Sequence, residues 1–114
     1  MVVHLILFRP RAGLPAPARR ALADALTNAI RAIPSVRRVS VGRRVTHGRG
    51  YEQMMRTDFS YAAMLQFDDV EGLTEYLEHP AHEELAARFF DAFEEALMYD
   101  YEVEEGEAGI QSLV

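Results

Sequence analysis

The chain contains no cysteine. That absence excludes a disulfide framework, a thiol nucleophile and a cysteine-ligated zinc or iron–sulfur site. It is consistent with a reducing compartment. Glycine and proline are sparse, at 7 and 5 in 114 residues, which is not the make-up of a fibrous or disordered chain. Excess positive charge is missing as well. The formal net charge is -6 and the pI about 5.1, which argues against a protein held on nucleic acid by phosphate contacts. No long apolar run occurs. Val2 to Phe8 is too short for a membrane span, and no basic segment precedes it as in a secretory signal. There is no phosphate loop, dinucleotide fingerprint or Gly-x-Ser-x-Gly elbow. Internal repeats and low-complexity blocks are absent too.

What is present is a globular composition, 49% hydrophobic and 26% charged. A chain of 114 residues supports one core or half of a shared one. The expectation is a soluble, cytoplasmic domain over residues 1–103 with an acidic tail over 104–114. Neither nucleic acid nor a membrane is an expected partner.

Val2 to Phe8 reads as a strand. Val2, His4, Ile6 and Phe8 share one face, and Val3, Leu5 and Leu7 share the other. Both faces are apolar, so both need cover. Ala18 to Ile33 reads as a helix, with Leu22, Leu26, Ala29, Ile30 and Ile33 at helical spacing and Pro34 at its end. Val36 to Val45 is expected as a second strand with Val39, Val41 and Val45 on one face. Thr46 to Ser60 has no clear period, and Tyr61 to Phe67 is the third strand.

Asp68 and Glu71 suggest a capping box before a short helix. Pro80 suits the start of another, whose inner stripe is expected to run through Leu85, Phe89, Phe93, Ala96 and Leu97. Met98 to Val103 completes the set. From Glu104 onward the chain should be frayed and dispensable for folding. The order β-α-β-β-α-α-β specifies an α+β, ferredoxin-like subunit: four antiparallel strands with helices on one face. The uncovered face calls for a homodimer, two sheets closing face to face into a barrel.

Several residues then fall into a known arrangement. They are His4 in the first strand, Ile33-Pro34-Ser35-Val36, Gly42, Phe67-Asp68-Asp69, Tyr76-Leu77-Glu78-His79-Pro80-Ala81-His82, and Asp100-Tyr101. The chain resembles the stress-responsive dimeric α/β-barrel (Dabb) family over residues 1–103. The Tyr-x-x-His-Pro-x-His segment is the specific part. The resemblance implies a homodimer without a cofactor. Some members are stress-induced plant proteins, and one is a plant polyketide cyclase that closes a linear tetraketide by aldol condensation. Its catalytic pair falls on Tyr76 and His82, with supporting positions at His4 and Asp100.

Each of these residues also has a plainer reading. His82 in a helical first turn should favour the neutral ring, as a base requires, although Glu83 and Glu84 oppose this. Otherwise it packs against the sheet. Asp100 is expected to orient His82 by a direct hydrogen bond; alternatively it faces solvent at a strand end. Tyr76 offers a hydroxyl to an oxyanion, or is an amphipathic core residue. His4 is either a pocket histidine or a satisfied core histidine.

Leu26, Ala63, Phe89 and Phe93 are the expected apolar ligand contacts. His79 and His82 are spaced for one metal ion, but Pro80 intervenes and no third ligand is evident, so no metal is expected. Arg37, Arg38, Arg43, Arg44 and Arg49 either attract an anionic substrate or solvate an edge balanced by Glu102, Glu104, Glu105 and Glu107. Tyr51, Met54, Met55 and Phe59 are apolar teeth for a pocket mouth or a partner subunit. The functional expectation is a small-molecule-binding protein, possible as a cyclase or lyase with a histidine base. The alternatives are a non-enzymatic stress-responsive homodimer and a cofactor-free monooxygenase.

Overall fold

The computed structural model describes residues 1–114. Nine elements follow in order: β1 (Val2–Pro10), α1 (Ala16–Ala32), β2 (Arg38–Arg43), α2 (Gly50–Met54), β3 (Tyr61–Phe67), α3 (Val70–Glu78), α4 (Pro80–Ala92), β4 (Phe93–Glu102) and α5 (Gly106–Gln111). The four strands form one antiparallel sheet in the order β2-β3-β1-β4. The first strand is therefore central and the last is an edge.

The helices cover one face of this sheet. The core joins Val2, Ala63, Leu65 and Phe67 from the strands to Ala29 and Ile33 at the end of α1. Leu73 and Tyr76 of α3 and Ala81 and Leu85 of α4 complete it. The strand members are alternate residues, as a single covered face requires. α1 starts at Pro15-Ala16-Pro17, where a missing N–H costs nothing, and Ile33 closes it by donating its N–H to the Ala29 carbonyl. Small residues on α1, Ala25 and Ala29, are buried there, and α1 packs closely on α4.

The opposite face of the sheet is largely open, with Val3 its one buried residue. Register places Val3, Leu5 and Leu7 beside Ala62, Met64 and Gln66 on one side and Leu97, Tyr99 and Tyr101 on the other. Tyr99 and Tyr101 stay 52% and 51% exposed, which is unusual for aromatic residues in a strand. One face of the two-sided apolar pattern of β1 is thus covered by the helices, and the other is not covered by the chain itself.

Five details differ from the sequence-based expectation. β4 begins at Phe93, because Phe93 to Met98 pair with β1 back to Pro10. Phe93, Ala96 and Leu97 are therefore strand residues, although their spacing from Phe89 also suits a helix. β2 spans only Arg38 to Arg43, and Val45 lies beyond it at 79% exposure. The N-cap of α3 is Asp69, whose side chain accepts from the Gly72 N–H at 2.9 Å. Asp68 instead pairs with Arg37 at 3.0 Å on the surface. Thr46 to Ser60 contains α2, where Glu52 accepts from the His47 and Gly48 N–H groups. Finally, the tail is not featureless. It forms α5, so tightly turned that a Cβ at Gly109 would overlap the Glu104 carbonyl.

The two aspartates before α3 have separable roles. Asp69→Ala is expected to cost about 1 kcal/mol through the lost cap. Asp68→Ala removes only an exposed ion pair and should cost about half of that or less. Urea unfolding midpoints of the two variants check the order.

Candidate active site

β1 carries one polar residue in its helix-facing row. His4 sits between Val2 and Ile6 and is 7% exposed. A buried imidazole is costly without a partner. The β1–β4 register supplies one, because His4 lies directly opposite Asp100. His4 Nδ1 and Asp100 Oδ1 are 2.6 Å apart. The carboxylate can only accept, so Nδ1–H donates; in the neutral form of the ring the lone pair is then on Nε2. Nε2 has no partner within the chain, and His4 lines a cavity beneath the helices. Asp100 thus hydrogen-bonds a histidine, but the histidine is His4 and not the expected His82. The reason is register: direct cross-strand neighbours on one face meet before a helix residue can reach the edge strand.

Tyr76 and His82 complete the polar end of the cavity. α3 buries Tyr76 to 1% exposure, against Phe67 at 5.3 Å between ring centroids. The His82 ring meets it edge-on at 4.7 Å, and the His4 ring lies at 6.0 Å. Burial pushes the Tyr76 hydroxyl up to about 12, so it remains a donor across the neutral range. That hydroxyl has no hydrogen-bond partner in the chain, yet it is not sealed, and Tyr76 lines the cavity.

His82 stands in the first turn of α4, half-buried. Its pKa lies below the ordinary value, chiefly because burial disfavours the charged ring and secondly because His4 is near. The Leu77 carbonyl and Glu83 oppose this less strongly. His79 turns elsewhere: its Nδ1 accepts from the Ala81 N–H at 3.0 Å and caps α4. The two histidines do not converge, and no group of three or more carboxylates and imidazoles is placed to hold a metal ion.

The cavity has a volume of about 210 Å3 and is lined by 16 residues, 14 of them hydrophobic. Its only polar groups besides the backbone are therefore those at the His4 end. Leu26, Ala63 and Phe89 line it as expected. Phe93 does not. Placed at the start of β4, it lines an outer cavity with Phe8 and Phe89. Ile6, Phe90 and Met98 belong to the inner wall and escaped notice in the sequence. Ile6 was legible from its alternation with His4.

Two of the five arginines around β2 find surface partners. Arg37 pairs with Asp68, and Arg44 with Asp58 at 2.8 Å, rather than with the C-terminal glutamates. Met54, Met55 and Phe59 line a groove with Leu7, Ala62 and Leu97. The loop teeth therefore lie beside the bare sheet face and away from the cavity.

These features define a ferredoxin-like α+β subunit with a helix-side cavity. Residues 2–103 match the model of the stress responsive A/B barrel domain, Dabb, and the chain belongs to that family. Solved structures resemble it at low identity. A hydroxynitrile lyase from Passiflora edulis aligns over 92% of this chain and 94% of its own, with a TM-score of 0.76 and 21% identity. A dimeric ferredoxin-like protein from Thermobifida fusca YX covers 90% of each chain, with a TM-score of 0.69 and 19% identity. SnoaB, a cofactor-independent oxygenase from Streptomyces nogalater, covers 93% of this chain and 95% of its own, with a TM-score of 0.67 and 17% identity. At these identities the likeness shows the fold. None of the curated proteins compared by sequence matches the chain. No helix is long and apolar enough to cross a membrane.

The lowered His82 pKa has a definite sign. An unfolded histidine takes up its proton near 6.5, before the folded one does. The stability His82 contributes is therefore full above that pH and falls as pH drops toward the folded pKa. His82→Phe should flatten this acid-side slope relative to the parent, read from urea midpoints against pH. Tyr76→Phe should change stability by less than about 1 kcal/mol, because the hydroxyl has no partner to lose, whereas Tyr76→Ala should cost about 3–5 kcal/mol.

Proposed function

We propose that the protein is a homodimeric acid–base catalyst of the lyase or cyclase type, acting on an apolar, carbonyl-containing small molecule. The observation that carries this is the His4 arrangement. Its Nδ1 is committed to Asp100 at 2.6 Å, its Nε2 has no partner within the chain, and both His4 and Tyr76 line one apolar cavity. An oriented base and a nearby donor are the two parts that proton abstraction beside a carbonyl requires.

In this reading the substrate carbonyl accepts a hydrogen bond from Tyr76. His4 Nε2 takes a proton from the neighbouring carbon. The C–H electron pair becomes the enolate, whose charge gathers on the oxygen held by Tyr76. Asp100 stabilises the imidazolium that forms. The enolate carbon then attacks a second carbonyl, and the proton on Nε2 passes to the new alkoxide, so protons balance over the cycle. Neutral His82, edge-on to Tyr76, keeps that ring in place and adds a second polar group. Dry apolar walls strengthen each of these interactions.

Surface area supports the dimer. A compact protein of 12.9 kDa exposes about 6,300 Å2. This chain exposes 8051 Å2, and only 16 of its 114 residues are buried. The excess, roughly 1,700 Å2, is of the order that obligate dimers cover on each partner. The bare sheet face supplies the apolar part of it. The Thermobifida relative is described as dimeric, which supports the same assembly here. Pairing through that face leaves the helix-side cavity open to ligand.

Two experiments test this reading. Light scattering at micromolar concentration should give a dimer, and Leu5→Glu, which puts a charge in the centre of the bare face, should give a monomer. A monomeric parent would contradict the assembly. For the chemistry, exchange of the protons next to the carbonyl of 2-decanone in D2O should be accelerated by the parent protein. His4→Gln should lose about 100-fold or more of that acceleration while remaining a folded dimer. A parent that binds the ketone without exchanging its protons would make the protein a ligand carrier instead.

A further inference from the structure

The inner cavity does not end at its apolar wall. Phe8, Leu22, Leu26, Val41 and Phe89 line both it and the outer cavity of about 530 Å3, so the two adjoin, with only these side chains between them. The outer space opens between the end of β1, α1 and the end of β2. Its lining includes Arg19 and Arg43 but no carboxylate. Arg43 is two residues beyond Val41 on β2 and so shares its helix-facing side. It forms no ion pair, although Arg37 and Arg44 on either side of it do. Arg19 gives its Nε–H to the Leu14 carbonyl at 3.3 Å and likewise has no carboxylate partner. Two unbalanced guanidinium groups thus stand at the mouth of an apolar channel in a chain of net charge -6.

Register measures how far they stand from the base. Arg43 lies opposite Tyr61, Tyr61 opposite Phe8, and Phe8 is four residues along β1 from His4. For Arg43 that is about 13 Å along the strands and two strand spacings, about 10 Å, across them, roughly 16 Å in all. We infer that the ligand is an elongated amphiphilic acid whose carboxylate is held by Arg43, with Arg19 beside it, while its apolar body leads the carbonyl end inward to His4. Arg43 is then the residue that selects for an acid. A guanidinium matches a carboxylate in two parallel hydrogen bonds, a geometry that sets an acid apart from an alcohol even though Arg43 and Arg19 are both exposed. This inference rests on the proposed function for the inner end of the channel, and adds the chemical class and orientation of what enters it.

Calorimetric titration with decanoate and with 1-decanol tests it, since the two differ only at the end group. Decanoate should bind the parent at least about tenfold more tightly, the measure of one charge-assisted pair. Arg43→Met should abolish that preference and leave decanol binding unchanged, and Arg43→Lys should restore part of it. Equal binding of acid and alcohol, full retention of the preference in Arg43→Met, or no binding of either probe would overturn the inference. The readout is independent of proton transfer. Asp100→Asn, which disturbs the base, should leave the preference for decanoate intact. Failed ketone exchange with an intact preference would therefore count against the base alone.

Discussion

The arrangement depends on one hydrogen bond, from His4 to Asp100 across the two outermost strands of the sequence. His4 is the polar residue in an otherwise apolar row of a central strand. Its burial is tolerable only if Nδ1 has a partner. Asp100 can be that partner only while β1 and β4 hold the register that sets Val2 against Glu102 and His4 against Asp100. A slip of one residue would turn Asp100 to the other face of the sheet. The same bond leaves Nε2 without a partner in the chain, on a ring that lines the apolar cavity. Stability and chemistry thus make the same demand on the register.

β1 also joins the site to the assembly. Its even-numbered residues face the helices and build the cavity, while its odd-numbered residues lie on the bare sheet face. One strand of nine residues therefore serves both layers. Because the partner is proposed to dock on the odd face, dimer formation stiffens the strand that holds His4 without covering the ligand channel. The helices have a complementary task. α3 and α4 bring Tyr76 and His82 over the same end of β1, and the turn between them is held by the His79 cap and Pro80. The His-Pro segment is thus a positioning device for its neighbours.

Much of this was legible in the sequence. The alternation of β1, the bounds of β3 at Tyr61 and Phe67, and the start of α4 at Pro80 all follow from local pattern and turn chemistry. So did the membership of His4, Tyr76, His82 and Asp100 in one neighbourhood, through the family resemblance. Two things were not local. Phe93, Ala96 and Leu97 satisfy helical and strand spacing alike, and only pairing with β1 decides between them. The choice of His4 over His82 as the partner of Asp100 depends on a register between residues 96 apart. A signal was available there: both residues sit the same distance from the outer ends of two apolar strands that an antiparallel sheet places side by side. The N-cap differed by one residue because two aspartates stand in succession, and only geometry tells which one bends back to the Gly72 N–H.

The central claim is that Asp100 holds the neutral His4 ring with its proton on Nδ1 and its lone pair on Nε2, facing the cavity. Nitrogen-15 NMR of the histidine side chains measures this directly, because the protonated and bare nitrogens of a neutral imidazole have well-separated shifts. The account predicts a neutral His4 with Nδ1 protonated in the parent protein, and a mixture of tautomers in Asp100→Asn. A neutral His4 protonated on Nε2 in the parent, or a ring unaffected by Asp100→Asn, would contradict it.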